Sequence, residues 1–326
     1  MKNIAEALHG KDPQLAAEAA RMIGTWKIGE LASDLQVHIT SSRSYAKSSA
    51  IHSLVALSPP GVRDFLESVF ENPNVPNDFY WYGFKGVRGA VAVALLSLGN
   101  NTGVPWMLER AVENDDVILR WLAPALLRLA SMGEMAPYLT AGYLCLRDKR
   151  DRFDGPSYTE PGMLCQLCEA LGLIDSPEVI EHLEFYMNFH SRFVRGQACR
   201  AFFQQSPNEA SKLKISTITN RYGTDYDLLI GASIHRDLST LERIAKNASV
   251  GFDRAAAIQE LRAHSGAQME AAFADPDPYV RQTVVECFGR EDAHFPRISR
   301  MQKEDPSLWV RCACEAVQYA KEKYPC

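Results

Sequence analysis

No apolar run in this sequence approaches the roughly 18 residues that a membrane-spanning helix needs, and the longest lies near Ala90 to Leu98. An excess of charge is also missing: 35 basic and 40 acidic residues leave a net charge of −5 over 326 residues, with both halves balanced alike. A chain without a basic domain lacks the usual means of neutralising phosphates, so nucleic acid is not an expected partner. No low-complexity linker divides the chain. Strand signals are scarce, because β-branched runs such as Lys214 to Ile218 sit inside helical periodicity. Met1 to His9 read as the first repeat helix rather than as a secretory leader, so the expected compartment is the cytoplasm and no membrane is involved.

The motifs of familiar chemistry are absent too. There is no Gly-x-x-x-x-Gly-Lys-Ser/Thr and no Gly-x-Gly-x-x-Gly to cradle a phosphate, and no Gly-x-Ser-x-Gly nucleophile elbow. The eight histidines are dispersed, and none is followed by Glu. Eight cysteines are scattered at helical positions expected to face the core. Cys165 and Cys168 have a metal-like spacing, yet no second pair completes four ligands, so reduced, packed thiols are expected, with no cofactor and no structural metal.

What is present is a phrase that returns about every thirty residues: apolar, basic, two free positions, small, three free positions, large apolar. It is clearest at Val194-Arg195 with Ala198 and Phe202, and at Val280-Arg281 with Val284 and Phe288, and it recurs at Leu119-Arg120 with Ala123 and Leu127 and at Val310-Arg311 with Cys314. The apolar, small and large positions fall at i, i+4 and i+8, one stripe of an α-helix, and the small residue lets a neighbouring helix approach closely. Asp-Pro stands upstream at Asp12-Pro13, Asp277-Pro278 and Asp305-Pro306, where Asp can cap a helix that Pro begins. A second amphipathic segment precedes each phrase, with start signals at Ser176-Pro177-Glu178 and Ser206-Pro207-Asn208-Glu209 and a capping box at Ser239 with Glu242. The unit is helix, turn, helix. Placing the basic slot at Ala16, Lys47, Arg88, Arg120, Leu164, Arg195, Asp227, Arg254, Arg281 and Arg311 fills the chain with about ten such units.

With the Asp-Pro turn followed by Val-Arg at the start of the second helix, the sequence resembles the HEAT-like (armadillo-type) helical repeat family, most specifically at residues 277 to 289 and 191 to 203. The resemblance implies an all-α fold, an α-solenoid (superhelix) of about ten helical hairpins in a single domain over residues 1 to 326, with second helices lining a concave face. It also implies that the repeat arginines pair with the turn Asp of a neighbouring repeat. Scaffolding is therefore preferred for them, with Arg88, Arg120 and Arg195 retained as concave-face candidates. HEAT-like di-iron hydroxylases carry His-Glu pairs, which this chain lacks. HEAT-like DNA glycosylases use tryptophans and an Asp in a basic cleft; Trp81, Trp106 and Trp121 near Asp115 and Asp116 supply that alternative, against the acidic balance. Bilin lyases are built from related repeats, and no residue here is assignable to them.

Two intervals between slots are long: 41 residues from Lys47 to Arg88 and 44 from Arg120 to Leu164, against 27 to 32 elsewhere. The extra residues form insertions at 72 to 84 and 147 to 161, between the first and second helices of their units. Turns of this kind emerge along one edge of a solenoid, where insertions often build a binding rim. Tyr80, Trp81, Arg150, Arg152 and Tyr158 are the partner-binding candidates, since Tyr, Trp and Arg dominate interface energetics. Helix-core aromatics and a solvated loop are the plainer readings of the same two segments. The function expected is a non-catalytic protein–protein interaction module (adaptor, assembly factor or inhibitory/immunity protein), with the repair enzyme as the alternative.

Overall fold

The computed structural model describes residues 2–40, 47–73, 87–100, 102–103, 105–106, 165, 168–169, 171–172, 177–262 and 270–324. Among them are fifteen α-helices and no strand. They are α1 Lys2–His9, α2 Pro13–Thr25, α3 Ala32–Thr40, α4 Lys47–Leu57, α5 Val62–Glu71 and α6 Val87–Ser97; then α7 Pro177–Tyr186, α8 Arg192–Gln205, α9 Glu209–Tyr222, α10 Asp225–His235 and α11 Leu238–Asn247; then α12 Gly251–Arg262, α13 Pro278–Phe288, α14 Phe295–Glu304 and α15 Leu308–Lys323. Paired as helical hairpins, they give the all-α fold of solenoid type that the repeat predicts. None of the described helices is long and apolar enough to cross a membrane.

The three-position stripe is the core of each second helix. Val194, Ala198 and Phe202 are buried in α8, Val280, Val284 and Phe288 in α13, and Val310 and Cys314 in α15. Each large aliphatic side chain taken out of water contributes about 1.5–3 kcal/mol, so these stripes outweigh any single surface ion pair in holding hairpins together. Cys168, Cys199, Cys312 and Cys314 are buried among them, while Cys165 and Cys287 are half-buried.

Helix starts follow the predicted chemistry with two corrections. Asp12 accepts from the Gln14 and Leu15 amides, Asp277 from Tyr279, and Asn208 from Ser211. Before α11, however, the side chain at the helix start is Asp237 rather than Ser239: its carboxylate accepts from the Thr240 amide and from the hydroxyls of Ser239 and Thr240. Those bonds, that of Ser239 foremost, hold the Asp237 carboxyl down at about 2. An ionised carboxylate accepts more strongly than a hydroxyl, which explains the displacement. Before α15, Ser307 occupies the cap position without capping, and Asp305 instead accepts from the Ser307 amide and from Arg281.

The chain divides into two compact units. The first comprises residues 1–103 and 245–326, the second residues 104–244. In the first unit α12 packs on α13, α13 on α15, α15 on α2, α2 on α4 and α4 on α6, so second helices run side by side from late sequence into early sequence. Polar contacts secure the join. Glu315 of α15 accepts from the Ile4 amide at 3.0 Å, capping the start of α1, and Tyr319 donates to Glu30, which also pairs with Lys323 at 3.3 Å. Between α2 and α4 the approach is close: a Cβ on Gly24 would lie 2.7 Å from the Cα of Ser53. In the second unit α8 packs on α7, α9 and α10. There Gly223, at φ +63°, ends α9, and Thr224 then caps α10.

Candidate functional site

The repeat arginines share one geometry. Each points back over the start of its own helix, so that Nη1 donates to main-chain carbonyls six and five residues earlier: Phe189 and His190 for Arg195, Ala248 and Ser249 for Arg254, Asp275 and Pro276 for Arg281, Asp305 and Pro306 for Arg311. The other edge of the guanidinium holds a carboxylate from the next hairpin. Arg195 forks onto Asp227 at 3.1 and 2.7 Å, Arg254 onto Asp275 at 2.9 and 2.7 Å, and Arg281 onto Asp305 at 2.8 and 2.9 Å. Asp275 and Asp305 thus each take one arginine on the side chain and the next on the carbonyl. Only a planar guanidinium supplies donors in this arrangement.

Of the concave-face candidates, Arg195 is 4 % exposed, and the Tyr222 ring covers it at 3.8 Å. It is a framework residue with no face turned to a ligand. Arg88 is also engaged inside the fold, donating to the carbonyls of Phe70 and Asn72. Arg120, Tyr80, Trp81, Arg150, Arg152 and Tyr158 lie outside the described residues, as do Trp121, Asp115 and Asp116. No group of three or more His, Cys, Asp or Glu side chains that could hold a metal ion occurs among the described residues.

A feature that the sequence reading passed over stands two residues before these same arginines: Phe193, Phe252, Tyr279 and Trp309. In the second unit, Phe193 packs edge-on against Tyr226 with Arg192 over both rings. In the first unit, Phe252, Tyr279 and Trp309 occupy the same place on α12, α13 and α15, which pack side by side. Phe252 is 40 % exposed and lies parallel to Tyr279 at 6.1 Å, while Tyr279 and Trp309 are half-buried. The signal was legible as an aromatic at a fixed offset from each arginine, but core packing predicts the same residue type, and only exposure separates the two.

Trp309 lines a groove of about 410 Å³ within the first unit, together with Gln14, Ala17, Glu18 and Arg21 of α2 and Ser49, His52 and Ser53 of α4. The close approach at Gly24 and Ser53 sets the distance between two of its walls. Glu18 and Arg21 of that lining belong to a polar cluster that reaches α13. Arg21 bonds Glu18 at 2.5 Å and Glu286 at 2.6 Å, and the amide of Gln282 donates to Glu18 at 2.5 Å and to Glu286 at 3.0 Å. Gln282 is 2 % exposed, and its Oε1 receives no hydrogen bond. Glu286 uses only Oε1 in these contacts. Burial pushes the Glu286 carboxyl up, against the opposing pull of Arg21, and burial also raises the neighbouring Tyr279 hydroxyl.

Two carboxylates, Glu18 and Glu286, against the one guanidinium of Arg21 leave this cluster with acceptor capacity and a negative balance. Beside them stand an indole, a phenol and a phenyl ring. Such an arrangement suits recognition by charge-assisted hydrogen bonds and ring contacts.

No family model matches the chain, and no curated protein matches it. Among solved structures it is similar to the complex of CpcE and CpcF of phycocyanin lyase from Nostoc sp. PCC7120, at 15 % identity and a TM-score of 0.34, over 86 % of this chain and 91 % of that one.

Proposed function

We propose that this chain is a non-catalytic, HEAT-like partner-binding module whose hairpins continue through residues 1 to 326, acting in the cytoplasm as an adaptor, assembly factor or inhibitor of another protein. One observation carries the reading: the arginines at 195, 254, 281 and 311 are spent on internal carbonyls, the first three also on carboxylates, while Phe252, Tyr279 and Trp309 stand in a row on the second helices of the first unit. A phosphate-binding cleft requires the opposite, cations free to meet the backbone of a nucleic acid. That requirement counts against the repair-enzyme alternative. Aromatic side chains accessible along a helical face are the usual anchors of protein interfaces. The insertions at 72 to 84 and 147 to 161, with Tyr80, Trp81, Arg150, Arg152 and Tyr158, are the proposed second contact region.

The test is a tagged pull-down from the native host with and without nuclease treatment, comparing the intact chain with Tyr80→Ala/Trp81→Ala and with Trp309→Ala. A stoichiometric protein recovered by the intact chain and lost from either variant is the expected result. Recovery of nuclease-sensitive nucleic acid with no protein would overturn the reading.

A further inference from the structure

We infer that the groove between α2, α4 and α15 seats a basic side chain, arginine or lysine, from an extended segment of the partner protein, with apolar side chains of that segment lying along Trp309, Tyr279 and Phe252. This inference rests on the partner-binding reading and specifies its chemistry.

Charge complementarity picks the occupant. Glu18 and Glu286 face a single guanidinium, that of Arg21, so the cluster keeps an uncompensated negative charge. The Oε2 of Glu286 accepts nothing in the described fold, although its side chain is only 19 % exposed. The Oε1 of Gln282 is buried without a donor in the same cluster. Glu286 keeps 19 % of its side chain exposed, so a ligand bearing several N–H donors can pair with its second carboxylate oxygen. A guanidinium or ammonium does this and also neutralises the excess charge. Trp309 in the wall offers a π-face to the same cation or to its methylene stem.

The row of rings indicates an extended segment rather than a small free cation. Phe252, Tyr279 and Trp309 sit on three adjacent helices, and helices packed about 8–10 Å apart place the ends of the row about 16–20 Å from each other. An extended chain rising about 3.3 Å per residue covers that with about five or six residues. A free diamine or amino acid would fill the groove and leave Phe252, at 40 % exposure, uncovered.

The experiment uses the purified full chain on a positional-scanning library of immobilised hexapeptides. Selected sequences are then remade as soluble fluorescent peptides and titrated by anisotropy against the intact chain, Glu286→Gln, Trp309→Ala and Phe252→Ala. Arg or Lys should be enriched at one position with apolar or aromatic residues on one side of it. Affinity should fall at least about tenfold in Glu286→Gln and in Trp309→Ala, and several-fold in Phe252→Ala. Circular dichroism melts of each variant confirm that the fold survives; Glu286→Gln is nearly isosteric, and Phe252→Ala alters an exposed ring, so each reads binding without relying on the other. An acidic preference, no positional preference, or affinities unchanged in all three variants would overturn the inference. A host partner still lost with Tyr80→Ala/Trp81→Ala, but retained by the groove variants, would refute the groove while leaving the module reading intact.

Discussion

Arg281 and Asp305 join one hairpin to the next through two parallel bonds of 2.8 and 2.9 Å, and the Asp305 carbonyl receives Arg311 of its own hairpin. Both side chains of the pair are at most 12 % exposed. Removing one partner strands the other charge in a poorly solvated site, so Arg281→Ala should destabilise the first unit by about 3 kcal/mol. Arg281→Lys should recover little of that, because an ammonium cannot reach two carboxylate oxygens and two carbonyls together. Urea denaturation followed by circular dichroism measures both. Arg281→Met/Asp305→Leu should lose less than Arg281→Ala, and a double variant weaker than the single would show the pair to be worth more than its desolvation.

Stability should depend on pH through Glu286. Its folded-state carboxyl is raised above the ordinary glutamate value, chiefly by burial. Between the unfolded value near 4.3 and the raised folded value, the folded chain binds more protons than the unfolded one, so this group's contribution is complete at the acid end and is lost as pH rises. Glu286→Gln removes that dependence. Comparing melting temperatures of the two proteins from about pH 4.5 to 7 should show the intact chain falling relative to the variant across the window. Parallel curves would mean that Arg21 fully offsets the burial.

Thiol chemistry should sort by position. Burial pushes Cys199 and Cys312 up to about 12 and Cys165 and Cys287 up to about 11, and it raises Cys168 and Cys314 as well. Since the thiolate is the reactive form, native alkylation at pH 7.5 should leave Cys168, Cys199, Cys312 and Cys314 unmodified over hours, while denaturant should release all four. Peptide mass spectrometry assigns each site. Fast native labelling of Cys199 would show α8 to be looser than its packing indicates.

The wall of the groove should be sensitive at Gly24. A valine there would drive its Cβ to 2.7 Å from the Ser53 Cα, a backbone atom with nowhere to retreat. Gly24→Val should destabilise by about 1–3 kcal/mol and weaken any ligand of the groove. Gly29→Ala, at a site with nothing within 4 Å of the added carbon, is the matched control expected to change little.

Much of the framework is written locally. The i, i+4, i+8 stripe fixes which face of α8, α13 and α15 is buried, and Asp12 and Asp277 announce the starts of their helices within two or three residues. The placement of Asp227 in a slot that is basic in most units also has a local trace, although its purpose, a carboxylate for Arg195 32 residues away, does not. The groove left no such trace. Glu18 and Gln282 meet across 264 residues, and nothing near either one marks the other, because their contact depends on α15 lying against α2. The aromatic row was present as a fixed offset, but an aromatic beside Val-Arg fits a core as well as a surface, and the exposure of Phe252 is a property of the assembled helices.

The bond from the Ile4 amide to Glu315 also has a history in time. Its two ends are separated by 311 residues, and at synthesis rates of about 5–20 residues per second the amide waits about 15–60 s for its acceptor to leave the ribosome. Until then α1 and α2 lack the helix that covers one of their sides, and the acidic cluster lacks Gln282 and Glu286. The hairpins α7 to α10 belong to the other unit and are made in the interval, so the nascent chain can complete its middle before its beginning.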